Sequence, residues 1–194
     1  NIRLDGVVEA SDNFRLSRYD MDKKMTVPTF LLPGKSARTL INFDVIEISD
    51  GKGWKHFKTK EGTIFSARVF EGNFPDTEAT GVVNVEGVAV TLPQTLADVM
   101  ERAAIFAKRE HKLDAEAIIT IADKKIKVES QSDYGWFREE RNIRHAGEPV
   151  TFVIQPEFLH EILSKLTSCI IGMHAIKFTG EGWEHIIRLK EMEK

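Results

Sequence analysis

Apolar and polar residues alternate along much of the chain, and a helical period replaces that alternation in three places. Alternating or mostly apolar runs of strand length occur at Gly6 to Ala10, Phe14 to Tyr19, Val27 to Leu32, Thr63 to Phe70, Val88 to Leu92, Ala117 to Ala122, Lys125 to Ser130, Phe137 to Arg144 and Pro149 to Ile154. One stripe of Leu96, Val99, Met100, Ala103, Phe106 and Ala107 predicts a helix from Gln94 to Arg109. Pro156 opens a second helix, with Leu159, Ile162, Leu163 and Leu166 at i, i+3, i+4, i+7, and a shorter one is expected from Ser36 to Phe43. Many strands and few helices predict an α+β fold built on antiparallel sheet.

Two of the turns are written in the same residues. Gly51-Lys52-Gly53-Trp54-Lys55-His56 returns as Gly180-Glu181-Gly182-Trp183-Glu184-His185, each between strand-like runs, so each reads as a β-hairpin whose glycines supply the positive φ angles. Upstream, Thr29 to Pro33 lines up with Thr151 to Pro156, and Val8 to Asp12 with Val128 to Asp133. The separation grows from 120 residues at Val8 and Val128 to 129 at Trp54 and Trp183. Matched features in one order indicate a duplicated module. Two domains are expected, 1–80 and 81–194, joined by an extended, valine-bearing connector from Thr80 to Gly87 that holds them rigidly. The first copy lacks counterparts of the opening strand and helix of the second, and Thr63 to Phe70 has no evident counterpart after Met192, so the chain reads as clipped or reduced at both ends. It opens on Asn1 rather than Met, which suggests a start inside a longer polypeptide.

Composition adds limits rather than a direction. A net charge of −3 gives no global attraction to nucleic acid, so DNA contact would need a local basic patch. The single cysteine, Cys169, cannot form an internal disulfide and suits a reducing cytosol as a small buried hydrophobe. No membrane span and no signal peptide are evident. The six histidines show no metal-ligand spacing, and no phosphate loop, nucleophile elbow or dinucleotide fingerprint is present, so neither a metal, a cofactor nor an enzyme is expected.

Three stretches carry a resemblance. Ala10-Ser11-Asp12-Asn13-Phe14-Arg15-Leu16 resembles the Ala-Thr-Asp-Gly-His-Arg-Leu signature in the middle domain of the bacterial sliding clamp, the β subunit of DNA polymerase III. Phe30-Leu31-Leu32-Pro33-Gly34-Lys35 resembles that domain's strand-Pro-x-Lys helix start, and Phe70 to Asp76 its Gly-x-Phe-Pro-Asp exit. Asn13 and Phe14 replace the usual Gly-His, which suggests a distant or phage-encoded member.

The resemblance implies a clamp fold comprising a partial middle domain and the C-terminal domain. It implies a processivity factor in DNA replication that encircles duplex DNA as a homodimer ring, helices lining the hole, and that tethers polymerase and clamp-loader peptides in the cytoplasm. Sliding requires contact with phosphates without reading bases. The phosphate-facing residues implied are Lys35, Arg102, Lys108, Arg109 and Lys112, with Asp98 and Glu101 diluting their field. The peptide pocket implied, between the two domains, would use Ser11, Asn13, Phe14, Arg15, Leu16 and Pro75. Ordinary strand packing is the alternative role for Phe14 and Leu16. If Ile186 to Leu189 form the penultimate strand, as the hairpin repeat implies, the pocket is incomplete. Alone, the chain is expected to be a monomer or a weak dimer through exposed strand edges. The alternatives are an α+β protein-interaction module without DNA binding and, less favoured, an unrecognised enzyme.

Overall fold

The computed structural model describes residues 1–108 and 110–192, and of Lys112 the backbone alone. The residues cluster into two compact units. The first comprises 1–11 and 17–80; the second comprises 12–16 and the chain from Gly81 onward.

β1 (Val7–Ser11) and β2 (Arg15–Asp20), of which Arg15 and Leu16 cluster with the second unit, are neighbouring strands, and in the first unit α1 (Gly34–Leu40) leads into an antiparallel sheet of order β3 (Val45–Gly51), β4 (Trp54–Thr59) and β5 (Ile64–Arg68). Its core is small: Val27, Phe30, Phe57 and Ala67, with Ile2, Met25, Leu32, Leu40, Ile48, Phe65 and Val69 packed around them. Glu9, in the middle of β1, is buried, and its carboxylate is matched on several sides: it accepts from Thr77 Oγ1 at 2.5 Å and Asn1 Nδ2 at 2.9 Å, with Arg18 Nε 3.4 Å away.

Two expectations for this unit need correction. Val27 to Leu32 is not a strand; only Phe30 and Leu31 make bridges, to Ile2 and Phe70. Pro28 has no N–H for a ladder, and Val27 and Phe30 turn into the core instead. The connector from Thr80 to Gly87 is not extended in its first half either. Residues 77–83 are turns, with Thr80 N–H donating to Asp76 O and Asn84 N–H to Gly81 O.

The second unit runs β6 (Val88–Thr91), α2 (Leu96–Phe106), a 3₁₀ turn (Lys112–Asp114), β7 (Ala117–Ala122), β8 (Lys125–Ser132), β9 (Gly135–Asn142), β10 (Val150–Ile154), α3 (Pro156–Leu163), β11 (Ser168–Ile171), β12 (Ala175–Gly180) and β13 (Trp183–Arg188). One antiparallel sheet has the order β10-β7-β8-β9, and within this unit a second runs β13-β12-β11-β6. The core joins both sheets to α2 and α3 through Leu96, Met100, Ile119, Ile126, Leu159, Leu163, Phe178 and Ile187, all fully buried. The predicted α2 stripe is the buried face, with Phe106 at its end stacked 6.0 Å from Phe137. α3 starts where Pro156 predicts, capped by the Gln155 side chain, which accepts from Phe158 N–H at 2.9 Å.

Both glycine hairpins close alike, Gly51 opposite Trp54 and Gly180 opposite Trp183, with Gly53 and Gly182 at φ +75° and +65°. Their places in the module nevertheless differ. β11, which no pattern flagged, puts three strands after α3, as there are three after α1. The Trp54 hairpin therefore joins the first two strands after its helix and the Trp183 hairpin the last two. By order β13 matches β5, and the supposed lack of a counterpart to Thr63 to Phe70 is corrected. A turn motif marks a hairpin locally and carries no information on which pair of strands it joins.

Candidate functional site

Residues 12–16 form the tip of the β1–β2 hairpin and cluster with the second unit. Asp12 builds the tip by accepting from the amides of Phe14 at 3.2 Å and Arg15 at 3.0 Å. Asn13 sits at φ 70°, a left-handed position that asparagine tolerates better than other non-glycine residues, which is why it can stand where glycine is usual. The Phe14 carbonyl accepts from Arg188 N–H at 2.9 Å, so the tip lies beside the last residue of β13.

Above this backbone the side chains converge on α3. The Phe14 ring lies 6.5 Å from that of Phe158, and the Arg15 guanidinium carbon stands 4.3 Å over the Phe158 ring centre. Arg15 also pairs with Asp12 at 2.9 Å and with Glu161. Burial raises the Asp12 pKa, but the hydrogen bonds from Arg15 and the two amides outweigh it and hold the carboxyl below its ordinary value. His185 on β13 is 7% exposed. Its pKa is pushed down to about 4, first by burial and then by the Arg15 charge, against opposing effects of Asp12 and Glu161. The result is a ledge with a half-exposed ring, Phe14, beside an apolar floor that includes Phe158, fenced by a fixed Asp12–Arg15–Glu161 charge array. Leu16 is buried and acts as packing beneath the tip.

Of the residues assigned to a pocket by resemblance, Asn13, Phe14, Arg15 and Leu16 are thus together. Ser11, exposed at the end of β1, and Pro75, exposed in the turn-rich segment after β5, belong to the first unit. Phe158, Glu161, His185 and Arg188 were not anticipated. The i, i+3 spacing of Phe158 and Glu161 on α3 was visible, but nothing local linked it to Arg15.

The candidate phosphate contacts are dispersed. Lys35 is exposed in the first turn of α1. Arg102, on the exposed face of α2 with Asp98, Glu101 and Ile105, makes a bidentate pair with Glu139 on β9, Nε donating to Oε2 at 3.0 Å and Nη2 to Oε1 at 2.8 Å, and Arg141 also pairs with Glu139. Lys108 follows the helix and lines a cleft of about 670 Å³ with Ala104, Ile105, His160 and four glutamates, Glu101, Glu110, Glu157 and Glu161. Arg109 and the Lys112 side chain lie outside the described residues. Among the described residues no cluster of His, Cys, Asp or Glu could hold a metal ion, and no helix is long and apolar enough to cross a membrane. Burial pushes the Cys169 thiol up to about 12, which keeps it protonated and unreactive.

This architecture is the fold of the bacterial DNA sliding clamp. It is similar to the β subunit of DNA polymerase III from Pseudomonas aeruginosa (15% identity, TM-score 0.80, covering 98% of this chain and 57% of that one) and from Streptococcus pneumoniae (22%, 0.80, 96% and 54%). It is also similar to a Bartonella birtlesii clamp bound to griselimycin (14%, 0.81, 96% and 54%). This chain therefore spans little more than half the length of those clamps. No family model and no curated protein matches the sequence.

Proposed function

We propose that the chain serves as a sliding clamp, a processivity factor without catalytic activity that encircles duplex DNA and tethers polymerase and clamp-loader proteins through short peptides. The observation that supports this most is the clamp fold over at least 96% of the chain, with the tip residues Asn13 to Leu16 gathered beside α3 and β13 as a docking ledge. A peptide with an apolar C-terminal end suits it: an aromatic or aliphatic side chain lies against Phe14 and Phe158, and Arg15 meets a carboxylate or backbone carbonyl. The expected affinity is on the order of 10 to 100 μM, about 5 to 7 kcal/mol. Chemical-shift mapping with such a peptide, and with griselimycin as a second probe, should move the amides of Phe14, Arg15 and Arg188, and Phe14→Ala should weaken binding at least several-fold. Shifts confined to another surface would remove the ledge from the proposal.

Lys35, Arg102 and Lys108, with Arg109 and Lys112, are the proposed phosphate contacts. Each phosphate neutralised steepens the fall of log K with log salt by about 0.9, so Lys108→Gln should reduce that slope by about one. A slope unchanged by Lys108→Gln would take that residue off the DNA path.

A second reading, an interaction module without DNA binding, is favoured by one observation. Asp98, Glu101 and Ile105 dominate the exposed face of α2, and its arginine is engaged by Glu139. Peptide binding without detectable duplex binding at low salt would select this reading over the first.

A further inference from the structure

Two features of the second unit meet on α3. Successive residues of a helix are about 100° apart, so Phe158, Glu161 and Glu157 follow one another around α3 with Glu161 in the middle. Toward Phe158, Glu161 pairs with Arg15 and fences the ledge. Away from it, Glu161 lines the cleft of about 670 Å³ together with Glu157, His160 and residues at the end of α2. Ledge and cleft therefore share one wall. The cleft suits a side chain that is apolar along its stem and positive at its tip. Ile105, 58% exposed, gives it an apolar side with Ala104 and Ala115, and among its described lining residues four carboxylates face one ammonium. An excess of one charge in a concave site draws in ions of the opposite sign. The described acidic groups do not converge to hold a metal ion, which leaves an organic cation. Lysine and arginine fit that description, because their methylene stems lie on apolar surface while the head reaches a carboxylate.

We propose that the peptide bound on the ledge carries a basic residue ahead of its apolar end, and that the cleft between α2 and α3 receives it. The inference rests on the ledge being a peptide site and adds the peptide's charge and spacing. From Phe158 to Glu157 is a little over a quarter of the way round a helix about 11 Å across, a path on the order of 10 Å. An extended peptide advances about 3.3 Å per residue, so the basic side chain falls about three positions before the apolar one. It lies on the N-terminal side because the ledge takes the apolar C-terminal end. Exposed ion pairs are individually weak and screened by salt, so the preference is a matter of several-fold and is confined to low ionic strength.

Fluorescence anisotropy of the whole chain with three labelled peptides tests it. The peptides share one apolar C-terminal end and differ about three positions upstream, where they carry two lysines, two serines or two glutamates. At low salt the lysine peptide should bind at least fivefold more tightly than the serine peptide, and the glutamate peptide more weakly than either; the spread should close near 1 M salt, where screening shortens to about 3 Å. Glu101→Gln combined with Glu157→Gln should bring the lysine peptide down to the affinity of the serine peptide, whose own binding should not change. Phe14→Ala should weaken all three alike. Equal affinities for the three peptides, all weakened by Phe14→Ala, would keep the ledge and overturn the cleft, as would a lysine preference indifferent to the two glutamate substitutions. No binding of any peptide, or lysine-peptide binding untouched by Phe14→Ala, would overturn both.

Discussion

Leu159→Ala should destabilise the second unit by about 2 to 5 kcal/mol, whereas Ile41→Ala in the first should cost less than about 0.5 kcal/mol. Both residues are aliphatic and lie in or directly after the helix that precedes a three-stranded run. Leu159 is fully buried in a core that α2, α3 and two sheets share, so truncation leaves a cavity in that core. Ile41 is 82% exposed, so its removal uncovers little. Denaturant unfolding followed by amide exchange, which reports each unit separately, checks the contrast. Equal losses in the two variants would mean that Ile41 is covered in solution.

Acidification from pH 6.5 to pH 4 should lower the stability of the second unit by about 3 kcal/mol through His185 alone. The folded pKa of about 4 lies below the ordinary 6.5. Between those values the unfolded chain binds a proton that the native one does not, so stability falls as pH falls; above 6.5 neither state binds it, and below about 4 both do. The proton is refused because the ring is buried and faces Arg15, although Asp12 and Glu161 favour it. Loss of the lowered Asp12 pKa acts in a separate window, below the ordinary carboxylate value. His185→Gln should flatten the stability profile between pH 4 and 6.5. An NMR titration showing the His185 ring protonated near pH 6.5 would refute the assignment, as would a profile of unchanged slope in the variant.

The elements that the sequence specified by itself are those whose cause is local. Gly53 and Gly182 at positive φ close hairpins that could be placed from the Gly-x-Gly-Trp blocks, and the α3 start follows from Gln155, Pro156 and the leucine stripe. β7 matches its predicted limits because Ile119 and Ile121 alternate with less buried neighbours. Pro28 was in plain view too, yet its missing N–H was outweighed by the apolar run around it, and the predicted strand failed. β11 escaped because four residues, a few positions behind a helix whose apolar stripe runs on to Leu166, carry too short a period to be told from the helix's own tail.

Only the tertiary structure decided which pieces became neighbours. Arg15 and Glu161 are 146 positions apart, so no spacing could reveal that Arg15 would lie over Phe158 or depress the pKa of His185. Arg102 looked like a free cation on a helix until β9 brought Glu139 against it. α1 and α3 follow the same kind of cue, a proline before a short helix, and still differ in burial: α3 lies in the core shared with α2, whereas α1 buries none of its residues. Turn chemistry and periodicity act within a few residues and can be read along the chain, while burial, charge pairing and edge coverage depend on what packs alongside, which the chain settles only by folding.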